Sequence, residues 1–163
     1  MSVAVLHIDT SDLIRLGVRA LAAAGDLPEV LDQVGAVFET ATKERISRTK
    51  RSPAGKRWQP WSEGYAAYQQ ASFPNATLLL SGGKKVRGRR TGGGHLRDSI
   101  THNVTADGVE VGSNLAYAAT HQYGDPRRNI PERPYLGASE QDLDELRDIV
   151  DGWLARHLTG GAS

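Results

Sequence analysis

A chain of 163 residues, 39% hydrophobic and 24% charged, has the size and mixture of one globular domain, long enough to bury a core. It contains no cysteine, which excludes disulfides, thiolate metal sites and cysteine nucleophiles, so packing alone must hold it. The net charge of +1 conceals a separation: 13 of the 20 Lys and Arg residues lie between Lys43 and Arg97, opposed only by Glu44 and Glu63, whereas Glu140, Asp142, Asp144, Glu145, Asp148 and Asp151 crowd the end. A basic middle and an acidic end suit head-to-tail contacts between copies or with charged partners.

The start, "MSVAVLHIDTSD", has no basic opening and turns acidic early, so it is not expected to be a secretory signal. No stretch approaches the roughly 20 apolar residues of a membrane helix. Within it "VAVLHID" reads as a short strand or a buried extended arm. Thr10 or Ser11 is placed to cap a short helix ending at Gly25. Leu27, Val30, Leu31, Val34, Val37, Phe38 and Ala41 then recur at helical spacing behind an Asp26/Glu29 capping pair, which predicts an amphipathic helix over residues 27–48. Its last turns, "KERISRTKR", favour the negative helix end and are expected to project positive charge beyond the core.

Residues 51–64 hold too many glycines and prolines for a regular element, and Trp58 and Trp61 inside them read as anchors pinning a loop. "EGYAAYQQA" suggests a short helix and "LLLSG" a short apolar run. Residues 82–94, glycine-rich and carrying Lys84, Lys85, Arg87, Arg89 and Arg90, are expected to form a flexible basic loop. In "SITHNVTADGVEVGS", Ile100, His102 and Val104 alternate before an Asp107-Gly108 turn, and Val109 and Val111 return, which is a hairpin pattern. Ser113 or Asn114 would cap a helix ending at Gly124, with Tyr117 and His121 on one face and Tyr123 beside them. Ser139 would cap a last helix with a stripe of Leu143, Leu146, Ile149, Val150, Trp153, Leu154 and Leu158. The reading is a single α+β domain over residues 1–163, a small antiparallel sheet packed on a long helix and a C-terminal helix, with long loops.

Chemistry is harder to find. "SGGKK" is not a phosphate loop, because Leu78 stands where its first glycine belongs and Lys85 where the metal-binding Ser/Thr belongs. Neither His95 with Asp98 nor His102 with His121 has the spacing of a metal site. No serine-hydrolase elbow, zinc-protease motif or pocketed carboxylate pair is present, so neither an enzyme nor a cofactor is expected. The basic segment 43–97, interleaved with Trp58, Trp61, Tyr65 and Tyr68, leaves an alternative open: a small DNA-binding accessory protein.

Five pieces in order, "SPAGKRWQPWSE", "LLLSG", "HLRDSI", "DGVEVGSNLAYAATHQYGD" and "IPERPYLGASEQD", span about residues 35–158 and together resemble the virion morphogenesis, or tail-completion, family of Mu-like tailed phages. The Lys84–Gly94 stretch is a departure, since family members often pass directly from the "LLLSG" motif to the "LRDSI" motif. The resemblance implies a structural subunit of the virion neck that joins head to tail as a homo-oligomeric ring, a hexamer by first choice. It implies head connector or adaptor proteins and tail terminator or tail tube proteins as partners, and assembly in the host cytoplasm. Non-specific contact with packaged DNA is also implied, and no membrane.

Under that resemblance the stretch "NIPERPYLGASE" gains a purpose. Pro131 and Pro134 stiffen an arm at small entropic cost. Tyr135 and Leu136 would plug a pocket on the same subunit or on its neighbour. The expected oligomer or partner interface comprises Trp58, Trp61, Tyr117, His121 and Tyr123 together with Arg133, Pro134, Tyr135 and Leu136. Lys84, Lys85, Arg87, Arg89 and Arg90 would meet DNA or an acidic partner.

Overall fold

A computed structural model describes residues 4–9, 27–73, 76–80, 84–86, 89–91, 96–105 and 108–159. The elements are β1 (Ala4–Asp9), α1 (Leu27–Glu44), α2 (Glu63–Ser72), β2 (Lys84–Val86), β3 (Arg89–Thr91), β4 (Ile100–Val104), β5 (Gly108–Ser113), α3 (Ala118–Tyr123) and α4 (Glu140–Thr159). This is an α+β fold. The helix expected before Gly25 and its Thr10 or Ser11 cap lie outside the described residues.

The hairpin forms as the alternation requires: β4 and β5 pair antiparallel with Ile100 opposite Ser113 and Val104 opposite Val109. β1 adds to the other edge of β5, Ala4 opposite Ser113 and Asp9 opposite Gly108, giving the order β1-β5-β4. Ile100, Val109 and Val111 are buried beneath α1. That helix turns Val30, Leu31, Val34 and Phe38 inward and approaches the sheet through Gly35, where a Cβ would collide with the His102 ring and lie 3.0 Å from Val109. No side chain fits between helix and strand there, so only glycine permits this contact.

α1 ends at Glu44 and widens into a π-helical turn, Arg45–Thr49. The Lys50 ammonium closes the end by donating to the carbonyls of Ile46 and Leu78. It also donates to the Thr77 hydroxyl. The expectation that this basic end reaches out into solvent is wrong for Arg45, which is 6% exposed. Its guanidinium donates to the carbonyls of Tyr135 and Gly137 and pairs with the Asp142 carboxylate. A buried cation needs such partners to offset desolvation.

Three further differences have local causes. In α4 Leu146 and Trp153 are buried, but Leu143 is 39% exposed and faces away from the core. The helix before Gly124 is short because Leu115 is held in a turn, its N–H donating to the Ser113 hydroxyl. In the basic stretch, which the sequence presents as a flexible loop, the backbones of Lys84–Val86 and Arg89–Thr91 pair in a two-stranded antiparallel ladder separate from the main sheet. α4 itself starts on a reciprocal cap: Ser139 N–H donates to the Asp142 carboxylate and Asp142 N–H to the Ser139 hydroxyl.

Candidate functional site

The proline arm is bonded to the chain's own interior. Pro131 and Pro134 hold residues 130–134 extended, and that run passes beside α3, where Arg133 N–H donates to the His121 carbonyl at 2.7 Å. Gln122, one residue along α3, accepts the N–H groups of both Tyr135 and Leu136 at 3.0 Å and donates to the Leu136 carbonyl. Tyr135 is fully buried, and its hydroxyl donates to the Ala118 carbonyl at 3.0 Å. The Trp58 indole N–H donates to the Pro134 carbonyl at 2.9 Å. The pocket that Tyr135 and Leu136 plug therefore belongs to their own subunit. Trp58 is a loop anchor, buried in the same core. As candidates for an interface, Trp58, Tyr135 and Leu136 are thus committed inside the subunit.

The remaining candidates come together at the surface. Trp61 at the start of α2, His121 and Tyr123 on α3, and Arg133 on the arm line one open cleft of about 880 Å³. Asp125 shapes its far wall. This carboxylate caps the turn Pro126–Arg128 by accepting from the N–H groups of Arg127 and Arg128, and it also holds the Arg128 guanidinium. Tyr117, 40% exposed, meets the His121 ring edge to face at 5.8 Å beside this cleft.

Arg133 sets the electrostatics. It is 4% exposed, and its guanidinium donates to the carbonyls of Gln59 and Pro60. Among the described residues no carboxylate pairs with it. Burial, and then the positive charges of Arg133 and Arg128, push the His121 imidazole below its ordinary 6.5, so this ring is neutral near pH 7. Its Nδ1 is buried with no hydrogen-bond partner. The cleft is thus cationic and lined by aromatic rings, an arrangement that accepts an acidic or aromatic group. Among the described residues no cluster of metal-ligating side chains occurs, and no helix is long and apolar enough to cross a membrane.

Beside the cleft, α2 buries none of its residues. It instead stacks Trp61, Tyr65, Tyr68 and Phe73 on one another with ring centroids 5.7, 6.2 and 6.3 Å apart. Of the basic stretch, Lys84, Lys85, Arg89 and Arg90 lie on the small ladder and Arg87 lies outside the described residues. Several cations of the segment 43–97 are already engaged: Arg45 by Asp142, Lys43 by Glu39, Arg97 by Asp98, and Lys50 by three oxygens.

Sequence reasoning missed Gln122, the Arg45–Asp142 pair and the ring stack on α2. The stack was the most accessible, since Trp61, Tyr65 and Tyr68 recur at helical spacing.

Comparison with known proteins adds the relationship. The model of the phage virion morphogenesis family matches residues 8–155, from the end of β1 through most of α4. A protein of Escherichia phage Mu, provisionally named capsid assembly protein G, is 29% identical over 132 residues, 76% of this chain and 75% of its own length. An uncharacterized protein of Methanocaldococcus jannaschii is 26% identical over 100 residues, 58% of this chain and 67% of its own. No solved structure matches the chain.

Proposed function

The chain belongs to the phage virion morphogenesis family, and from that premise we propose that it is a tail-completion subunit that closes into a ring at the neck, between head connector and tail. The observation that carries this reading is the match over nearly the whole length, residues 8–155, to a family defined by building the virion. The name of the Mu relative ties that protein to capsid assembly, which supports a role for this chain near the head or its exit. Head and tail exits have cyclic symmetry, so a joining piece is a ring, and we favour a hexamer.

The fold supports a structural role. Its arm is bonded to α3, Trp58 and Arg45, so the surface it presents is stiff. A subunit of a closed ring needs two different, mutually complementary faces. The cationic cleft and the acidic helix α4 are two such faces. The alternative of a DNA-binding accessory protein is weakened, because the ion pairs and carbonyl contacts of Lys43, Arg45, Lys50 and Arg97 reduce the charge free to meet phosphates.

The test is genetic and visual. Removing the chain from a phage that encodes it should leave filled heads and finished tails that fail to join, and electron microscopy of intact particles should place its density at the neck with cyclic symmetry. Joined, infectious particles made without it would end the reading. A salt series separates the alternative, since binding to DNA must weaken steeply as salt rises.

A further inference from the structure

We propose that the cleft between the Gln59–Tyr65 segment and the α3–arm junction receives the acidic ridge of α4 from a neighbouring copy. The inference deepens the ring reading and rests on it. Three observations converge. Arg133 is nearly buried, open on one side to the cleft, and has no carboxylate partner among the described residues. Such a cation gains most from an acid delivered to it in a dry place. Tyr65, Tyr68 and Tyr123 beside it are 49%, 56% and 66% exposed, a concentration of rings that suits an interface core better than a solvated surface.

On α4, Glu140, Asp144, Asp148 and Asp151 stand four, four and three residues apart, so they form one outward line. Leu143, exposed between them, offers an apolar knob for the rings. Among the described residues, the cation that engages this ridge is Arg147, at Asp144. α4 packs on α1 through its other side, where Asp142 meets Arg45, so docking would not compete with the fold. Of the charged residues lining the cleft, Arg128 and Arg133 outnumber Glu132, while Asp125 and Arg127 just outside it add one charge of each sign. Cleft and ridge are different surfaces, so their union is head-to-tail: a first contact leaves a ridge free on one copy and a cleft free on the other, and closing the ring uses both.

The absence of native cysteine makes the test direct. Chains carrying Tyr123→Cys and Asp148→Cys together, two exposed positions, are assembled and treated with a short bismaleimide. The expected product is a covalent ladder of whole chains ending at the ring size seen by native mass spectrometry. A control pair, Tyr123→Cys with Asn103→Cys, should give none. Reversing the ridge with Asp148→Lys and Asp151→Lys should weaken association roughly tenfold or more, and adding Arg127→Glu and Arg128→Glu should recover part of the loss. Circular dichroism of each variant verifies that it is folded. Rings that form without the ladder and ignore both reversals overturn this contact and leave the ring reading standing. A chain that remains monomeric at every concentration, and on tails, removes both. If the cleft reversal spares the ring but abolishes binding to added duplex DNA, the cleft serves nucleic acid and the contact is overturned.

Discussion

Among the described residues two arginines are buried, and their surroundings differ. At the seam between α1 and α4, Arg45 meets the Asp142 carboxylate and two carbonyls. At the seam between the arm and the Gln59–Tyr65 segment, Arg133 meets carbonyls only, on a wall that faces an open cleft. Burial pulls both guanidinium groups below their ordinary value, but for Arg45 the charge and hydrogen bond of Asp142 push back. The first seam is electrically complete within one subunit, so its business is folding. The second is incomplete, and a cation left so invites a partner.

The sharpest way to break that comparison is at the complete seam. Arg45→Met strands the Asp142 carboxylate in a place that is 7% exposed, and should cost about 3–5 kcal/mol of stability in urea unfolding. Replacing both partners, Arg45→Met with Asp142→Asn, removes the orphaned charge, keeps an amide oxygen for the Ser139 N–H, and should return most of that loss. A double variant no more stable than the single one would mean that the carbonyl contacts of Arg45 with Tyr135 and Gly137, and not the ion pair, hold the seam.

Arg133→Met should behave differently. It strands no carboxylate, and the carbonyls it frees belong to Gln59 and Pro60, exposed residues that water can reach. The expected cost is about 1 kcal/mol, while association of copies should suffer far more. Equal losses of stability in Arg45→Met and Arg133→Met would erase the distinction between the two seams.

The contrast also explains what could be read in advance. The α1 stripe, the β4–β5 hairpin and the Ser139 cap are local: residues within a few positions dictate them, and spacing reveals them. The Arg45–Asp142 pair joins residues 97 apart, and the union of β1 with β5 spans about as much chain. Charge pattern alone suggested that the basic middle and acidic end both faced outward, yet one member of each is spent on the other inside the same subunit. The cleft was legible by residue and not by place. Trp61, His121, Tyr123 and Arg133 were each singled out, but only the fold shows them on one wall-to-wall surface while Trp58 and Tyr135 turn inward.

A third ionic site lies between those extremes and should give the smallest effect. His102 on β4 places Nδ1 2.6 Å from Glu39 and Nε2 3.1 Å from Asp32, both on α1. Two carboxylate neighbours require both ring nitrogens to donate, which is the imidazolium form. Burial opposes that charge, but the bonds and charges of Glu39 and Asp32 outweigh it and raise His102 above 6.5. Burial likewise opposes the Glu39 carboxylate, yet Lys43 and His102 bring it below 4.5. The raised histidine contributes stability that is whole below 6.5 and fades as pH climbs through its folded value. The lowered glutamate contributes above 4.5 and fades as pH falls through its own. Both operate together between 4.5 and 6.5, where the difference in stability between wild type and His102→Gln should be largest, on the order of 1 kcal/mol. Lys50 complicates the alkaline side: burial brings its ammonium down to about 8 from an ordinary 10.5, so stability gains from it as pH rises between those values. Because Lys50 is present in both proteins, its contribution cancels in the difference. A difference that stays flat from acid to alkaline pH would show that His102 is held by packing against Gly35 and not by charge.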